Sequence, residues 1–182
     1  AARLRAGQVA AETAAVIRGA PETLELFSPN RSGGWRVVGK VVVRSTDAGK
    51  TWAVEQAPVQ AELLAGASPS ADVAWFVGRG GYILLTTGTN QWRRVSFPES
   101  VDLAGVTALS DREAEVRTSD GRAFATSDGG QTWTLQFQNT NPAAFYDCFD
   151  FWDANRGVAI GDARRHASGR GRVDTVRERS LV

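Results

Sequence analysis

The sequence contains few of the cysteine and histidine residues that many enzymes and metal sites use. Its 182 residues include one cysteine, Cys148, one histidine, His166, and no methionine. One cysteine cannot form an internal disulfide, and one histidine in a C-terminal tail leaves no basis for a Ser-His-Asp triad or a multi-histidine metal site. Cys148 lies in an aromatic run and is predicted to be a small buried hydrophobe. We therefore predict no catalytic residue, no metal and no cofactor in this chain.

Long apolar runs and a concentrated basic face are also missing. No stretch of about 18 apolar residues is present, so none is predicted to span a membrane. The net charge is +1, although residues 163–182 hold six arginines against two acidic residues. The body of the chain lacks the basic face that nucleic-acid binding needs, so we expect no nucleic-acid partner. Residues 1–5 are typical of the interior of a longer chain, so any membrane attachment is expected from flanking sequence.

Glycine and tryptophan are abundant instead, with 19 and six residues. Three of the tryptophans recur at intervals of 40 and 41 residues, and these are Trp52, Trp92 and Trp133. The residues 17 positions earlier, which we take as equivalent to one another, are Trp35, Trp75 and Val116. Each interval is predicted to contain a strand, a turn with glycine and a second strand, and a third strand is predicted to begin at each tryptophan.

A repeat of about 40 residues with three or four short strands has the size of one propeller blade. A helical solenoid could share this period, but the segments are rich in Val, Thr, Trp and Gly and contain the hairpin signal Asp120-Gly121. We predict an all-β fold, a partial β-propeller of about three to four antiparallel blades over residues 23–162. Because a closed ring needs four or more blades, we expect a fragment, a partner that completes the ring, or limited stability.

Both ends are predicted to lie outside the blades. Residues 1–22 are alanine-rich and are interpreted as a linker or a short helix that ends before Pro21. Residues 163–182 contain too little apolar surface to offset the cost of ordering the chain, so a disordered basic tail is expected.

Two segments fit the pattern Ser/Thr-x-Asp-x-Gly-x-Thr-Trp, which is the Asp-box. The residues of the first copy are Ser45, Asp47, Gly49, Thr51 and Trp52, and those of the second are Thr126, Asp128, Gly130, Thr132 and Trp133. A degenerate copy runs from Thr86 to Trp92; it is one residue shorter and has no aspartate.

The residue types of the Asp-box suit a hairpin corner. The carboxylate can accept hydrogen bonds from backbone N–H groups across the turn, and the glycine adopts a backbone conformation that other residues resist. The threonine hydroxyl can tie the turn to the next strand, and the tryptophan buries a large face. We predict that Asp47 and Asp128 have structural roles and contact no ligand or ion.

These boxes, together with the run Asp128–Phe137 and the segments Phe151-Trp-Asp153 and Arg156–Asp162, resemble the photosystem II stability/assembly factor-like group of Asp-box (BNR-type) bacterial propellers. The resemblance covers roughly residues 23–162. It implies a propeller fold, export or membrane attachment, and a role in protein assembly or interaction without a shared reaction. We therefore expect a non-catalytic interaction domain in the bacterial periplasm or cell envelope, with a protein partner.

Asp-box propellers also include sialidases, so the alternative interpretation is a glycan-directed hydrolase fragment or a carbohydrate-binding module. Such an enzyme needs a tyrosine nucleophile, for which the chain offers Tyr82 and Tyr146. The Arg-Ile-Pro opening of that family is absent, and Tyr82 is predicted to pack half-buried within a strand pair. The recurring carboxylates Asp147, Asp150 and Asp153 are interpreted as a polar strand edge and not as a cation site.

Overall fold

The computed structural model describes residues 24–138, 144–153 and 156–163, and for the last two ranges it describes the backbone alone. The chain divides into two compact units, Ala1–Phe137 and Gln138–Val182, which are described separately. No helix among the described residues is long and apolar enough to cross a bilayer.

The first unit contains three antiparallel sheets of four strands, each with the strands in sequence order. Blade 1 consists of β1 (Leu24–Phe27), β2 (Gly34–Val38), β3 (Val41–Ser45) and β4 (Ala53–Glu55). Blade 2 consists of β5 (Leu63–Ala67), β6 (Ala74–Gly78), β7 (Ile83–Thr86) and β8 (Trp92–Val95), with a 3-10 turn at Arg79–Gly81. Blade 3 consists of β9 (Leu103–Ala108), β10 (Ala114–Thr118), β11 (Arg122–Thr126) and β12 (Thr134–Gln138). The predicted all-β, antiparallel blades are confirmed.

The core consists of two layers, one on each face of blade 2. The layer toward blade 1 contains the buried side chains Trp35, Val37, Val42, Phe76 and Leu84. The layer toward blade 3 contains the buried side chains Trp75, Val77, Ile83, Leu85, Leu103, Val106, Val116 and Phe124. Because both faces of blade 2 are covered, all five residues of β6 are buried, and its sequence is apolar without alternation.

The three tryptophans of the 40-residue period occupy equivalent places, as predicted. β8 begins at Trp92, and β4 and β12 begin at the residues directly after Trp52 and Trp133. Each tryptophan therefore stands where the turn of a blade enters its fourth strand.

The register of the second strand corrects one predicted equivalence. In each blade, the first residue of the box pairs with a residue of the second strand, and the pairs are Gly34↔Ser45, Ala74↔Thr86 and Ala114↔Thr126. The second-strand residues of these pairs are 40 positions apart from one blade to the next. This register aligns Trp35 and Trp75 with Glu115, so the predicted equivalence of Val116 is wrong by one residue. Val116 packs toward blade 2, whereas Trp35 and Trp75 face the following blade, because a shift of one residue reverses the face of a strand.

The first strands of consecutive blades lie side by side, β1 beside β5 and β5 beside β9. Small side chains permit this approach. A Cβ atom added to Gly66 in β5 would lie 2.9 Å from Leu26 Cδ2 and 3.2 Å from Phe76 Cδ1. A larger residue at position 66 would require the Leu26 and Phe76 side chains to shift.

The second unit is described by one antiparallel hairpin, β13 (Ala144–Asp153) and β14 (Arg156–Ala163), which matches the predicted fourth unit. β14 ends at Ala163, the first residue assigned to the tail. The predicted N-terminal segment and the rest of the tail with His166 lie outside the described residues. So do the side chains of residues 144–153, which include Cys148, Tyr146 and the three predicted edge carboxylates.

We expect Phe76→Ala to lower the free energy of unfolding by about 3–5 kcal/mol, because Phe76 is fully buried between blades 1 and 2. Urea unfolding monitored by tryptophan fluorescence measures the change. The control Leu109→Ala, at a side chain that is 77% exposed, should change the value by less than about 0.5 kcal/mol. Equal losses in the two variants would contradict the assigned core.

Candidate functional site

The Asp-box turns and the loops that connect the first two strands of each blade share one edge of the sheets, because neighbouring antiparallel strands turn at alternate ends. We call this the box edge; it comprises residues 28–33, 46–52, 68–73, 87–91, 109–113 and 127–133. The two kinds of loop touch directly, since Gly129 N–H donates to Arg112 O at 2.9 Å.

In the first box, hydrogen bonds close a turn around Asp47. Its Oδ1 accepts from Thr51 N at 2.8 Å and from Ser45 Oγ at 2.8 Å, and its Oδ2 accepts from Thr51 Oγ1 at 2.6 Å. Ser45 Oγ also accepts from Gly49 N at 2.8 Å. Both carboxylate oxygens are therefore engaged within seven consecutive residues.

The second full box repeats these bonds around Asp128. Its Oδ1 accepts from Thr132 N at 2.9 Å and from Thr126 Oγ1 at 2.8 Å, and its Oδ2 accepts from Thr132 Oγ1 at 2.7 Å. Thr126 Oγ1 accepts from Gly130 N at 2.8 Å. The two turns are the same structural device on two blades.

Hydrogen bonding to the charged form controls the ionisation of both carboxyl groups. The hydroxyl and backbone N–H of Thr51, followed by the hydroxyl of Ser45, lower the pKa of Asp47 to about 2. The hydroxyl and backbone N–H of Thr132 hold the pKa of Asp128 well below its usual range. Both groups are ionised acceptors at neutral pH, and neither holds a proton that it could donate to a substrate.

Left-handed backbone appears at the same place in every box. In the two full copies, φ is 60° at Ala48 and 82° at Gly49, and 77° at Gly129 and 82° at Gly130. Asn90 has φ of 55° in the degenerate copy. Glycine and asparagine tolerate this conformation, so Ala48 is the strained member of the set.

The degenerate box keeps its place with different partners. Asn90 occupies the position of Gly49 and Gly130, and its N–H donates to Glu55 Oε2 in blade 1 at 2.6 Å. Trp92 Nε1 donates to the same oxygen at 2.9 Å, and Asn90 Oδ1 accepts from Gln56 N at 2.7 Å. In the full copies the N–H of the equivalent glycine donates to the first hydroxyl of its own box, so Glu55 takes the place of that acceptor for Asn90.

Glu55 and Val95 are equivalent residues on the fourth strands of blades 1 and 2, since they pair with Val42 and Ile83. Val95 meets the next box at Gly130, where an added Cβ would lie 2.1 Å from Val95 Cγ1. This local contact between Val95 of blade 2 and the box of blade 3 is apolar and requires glycine at position 130. The contact between blades 1 and 2 is polar and is matched to asparagine at position 90.

A buried arginine adds to this polar contact. The Arg44 side chain is 4% exposed and forms an ion pair with Asp72. Its Nη1 donates to Thr89 Oγ1 at 2.9 Å, and its Nη2 donates to Ala71 O at 2.9 Å. No sequence pattern indicates this role for Arg44, because its partners lie 27 to 45 residues away.

The opposite edge of the blades carries charged clamps that the sequence analysis also missed. Arg79 donates to Glu62 Oε2 at 3.0 Å and to Asp102 Oδ2 at 2.7 Å, and so links the loops that enter β5 and β9. The backbone N–H of Gly80 and then Arg79 lower the pKa of Asp102. A second clamp joins Arg122 to Glu99 through paired bonds.

Tyr82, the tyrosine considered as a nucleophile, is buried and not half-buried as predicted, with 3% exposure. Its hydroxyl donates to Pro58 O and accepts from Gln60 N at 3.1 Å. The Arg94 guanidinium carbon lies 4.0 Å from the ring centroid. The hydroxyl is thus used to hold the loop between blades 1 and 2.

Residues 20–173 match the family described as Photosynthesis system II assembly factor YCF48. The chain belongs to this family. A curated relative is the chloroplastic photosystem II stability/assembly factor HCF136 of Arabidopsis thaliana, which is 24% identical over 109 residues. That match covers 56% of this chain and 27% of the relative. The predicted resemblance is confirmed, and the family is named for an assembly factor and not for an enzyme.

Solved structures show the same fold. YCF48 bound to D1 peptide gives a TM-score of 0.58 at 17% identity, over 86% of this chain and 57% of that one. YCF48 from Cyanidioschyzon merolae gives 0.59 at 16% identity, over 77% and 48%. The GH74 xyloglucanase of Xanthomonas campestris gives 0.56 at 12% identity, over 82% and 28%. The chain spans just over half, or less, of these solved relatives.

The Asp-boxes of this YCF48-family chain do not converge on one site. Asp47 bonds to residues of its own turn in blade 1, and Asp128 does the same in blade 3. The tryptophans that follow the boxes of blades 2 and 3 reach the preceding blade, where Trp133 Nε1 donates to Ser96 O at 2.8 Å. Trp52, in the first described blade, donates to Gly49 O at 3.0 Å.

We expect acid to remove the stabilisation that the two Asp-box carboxylates provide. Their pKa values are lower in the folded chain than the usual value of about 3.9, so their contribution is complete above pH about 4 and is lost as the pH falls through about 2. Asp47→Asn and Asp128→Asn should lower the thermal midpoint at pH 7 and flatten its fall between pH 4 and 2.

Differential scanning calorimetry across that pH range measures both effects. Asp111→Asn, in a neighbouring exposed loop, is the control and should retain the wild-type profile. An Asp128→Asn variant with the wild-type pH profile would show that the carboxylate bonds do not stabilise the turn.

We expect Glu55→Val to lower the free energy of unfolding by about 1–3 kcal/mol, because it leaves the donors of Asn90 and Trp92 without their acceptor. Adding Asn90→Gly should recover part of the loss, because the pair then matches Val95 and Gly130. A double-mutant cycle in urea measures the coupling energy between positions 55 and 90. Strict additivity of the two changes would refute the idea that the pair Val–Gly can replace the pair Glu–Asn at this contact.

Proposed function

We propose that this chain is a non-catalytic interaction domain that binds a protein partner during the assembly of a larger complex. Its membership in the YCF48 family, over a match that includes all three blades and the hairpin, carries this proposal. A solved relative with the same fold is YCF48 bound to D1 peptide, which supports a peptide segment as the bound element.

The use of polar groups in the structure agrees with a scaffold. The carboxylates of Asp47 and Asp128 are ionised and occupied by their own turns. The Tyr82 hydroxyl is bonded to a loop, and Arg79 is held between two carboxylates. Acid–base catalysis needs a group that can exchange a proton with its substrate, and these groups are held in structural bonds.

The loop of residues 109–113 is the contact that we propose on the box edge. Leu109 is 77% exposed, the largest exposure among the large apolar side chains that the structure describes. Ser110 Oγ accepts from the backbone N–H groups of Arg112 and Glu113 at 3.1 and 3.0 Å. Ser110 O accepts from Trp75 Nε1 in the core at 2.8 Å. A loop held in this way loses little conformational entropy when a partner covers Leu109.

Fluorescence anisotropy with a labelled D1 peptide tests this proposal, with a scrambled peptide as reference. We expect saturable binding of the D1 peptide, weakened about tenfold or more by Leu109→Ser, which corresponds to about 1.4 kcal/mol. The matched control is Leu135→Ser, at a leucine of β12 that is 45% exposed, which should retain affinity. Both variants should keep the wild-type thermal midpoint.

The glycan-directed alternative is tested in the same preparation. Release of reducing sugar from xyloglucan, or of sialic acid from a sialoside, with turnover that scales with protein concentration would overturn the non-catalytic assignment. Equal binding of the D1 and scrambled peptides, together with turnover, would favour a hydrolase.

We further propose that the chain works in the periplasm or cell envelope of a bacterium, as part of an exported or membrane-anchored protein. The family resemblance supports this placement, and attachment to a membrane would come through flanking sequence. Alkaline phosphatase fused to the natural gene product should be active, because that enzyme needs an oxidising compartment. An inactive, cytosolic fusion would place the protein inside the cell.

A further inference from the structure

The polar contact between blades 1 and 2 contains two buried hydrogen-bond donors that the described residues leave without an acceptor. They are Trp35 Nε1 and Arg44 Nε. Trp35 is 0% exposed, and the Arg44 side chain is 4% exposed. A buried donor without an acceptor destabilises a fold, so a pair of them at one place points to a bound group.

The two donors belong to one location. Trp35 and Arg44 are direct cross-strand partners in β2 and β3. The guanidinium carbon of Arg44 lies 5.4 Å from the centroid of the Trp35 ring. The two terminal nitrogens of Arg44 are already bonded to Thr89, Ala71 and Asp72, and Nε is the guanidinium nitrogen without an acceptor among the described residues.

The equivalent tryptophan of the next blade makes a hydrogen bond that Trp35 does not make. Trp75 holds the equivalent position in blade 2, and its Nε1 donates to Ser110 O in a loop of blade 3 at 2.8 Å. In blade 2 the carbonyl equivalent to Ser110 O is that of Ser70, which accepts from Ser68 Oγ at 2.9 Å, and the next carbonyl, Ala71 O, accepts from Arg44. The residue of blade 2 equivalent to Arg44 is Leu85, which has no side-chain donor.

We propose that a small hydrogen-bond acceptor, either a water molecule or a halide ion, is bound between blades 1 and 2 by Trp35 Nε1 and Arg44 Nε. One donor is cationic, and the carboxylate that balances it, Asp72, is 70% exposed. The nearby buried carboxylate of Glu55 is engaged by Asn90 N and Trp92 Nε1. The bound acceptor completes the polar contact between these blades.

An isosteric replacement of the indole tests the site through the sign of its effect. Benzothienylalanine at position 35 keeps the shape of tryptophan and replaces N–H with sulfur. If an acceptor is bound, the full-length chain should melt at a lower temperature, because a satisfied bond is lost. The same replacement at position 75 is the matched control and should lower the midpoint, since it removes the bond to Ser110 O.

The dependence of the thermal midpoint on the anion in solution distinguishes a bound halide ion from a bound water molecule. Sodium chloride should raise the thermal midpoint relative to sodium gluconate at equal ionic strength if the acceptor is a halide, and the isostere at position 35 should abolish this difference. Equal midpoints in the two salts, with the isostere still destabilising, identify water. An isostere at position 35 that melts at or above the wild-type temperature would overturn the proposal, because it would show that an unpaired donor had been removed.

Discussion

The packing of one sheet face on the next is the interaction on which the rest of this structure depends. A single blade cannot bury its own apolar faces, and blade 2 is stable because Phe76 and Leu84 pack toward blade 1 while Trp75 and Leu85 pack toward blade 3. This requirement fixes the register of each strand, since a shift of one residue would turn an apolar face outward. It also explains glycine at the positions where a side chain of the neighbouring blade approaches, such as Gly66 and Gly130.

The Asp-box is the local device that serves this packing. A carboxylate with a lowered pKa closes the turn, and the turn delivers a tryptophan to the start of the fourth strand. In the degenerate box, Glu55 of the neighbouring blade accepts from Asn90 N and Trp92 Nε1. The equivalent contacts at the two boxes differ in chemistry. Val95 and Gly130 make an apolar contact between blades 2 and 3, whereas Glu55 and Asn90 make a polar contact between blades 1 and 2.

The proposed function agrees with the bonds that the described polar side chains make. The polar side chains that could serve a reaction, such as Asp47, Asp128 and Tyr82, are held in structural bonds. At the box edge, the loop of residues 109–113 is hydrogen-bonded within itself and carries the exposed side chain of Leu109. Such a framework suits recognition of a partner more than turnover of a substrate, and it agrees with a family named for an assembly factor.

The sequence by itself determined the all-β class, the 40-residue period, the box residues and the place of Trp52, Trp92 and Trp133. Each of these depends on groups within one turn or one strand, and local hydrogen bonds and side-chain alternation are visible in consecutive residues. Only the tertiary structure decided that Val116 faces blade 2, that Arg44 and Glu55 are buried in a polar contact, and that Tyr82 holds a loop. The partners in those bonds are separated by 22 to 45 residues. The physical reason is that a side chain's partner on another blade is set by how the sheets stack, and no local pattern encodes that stacking.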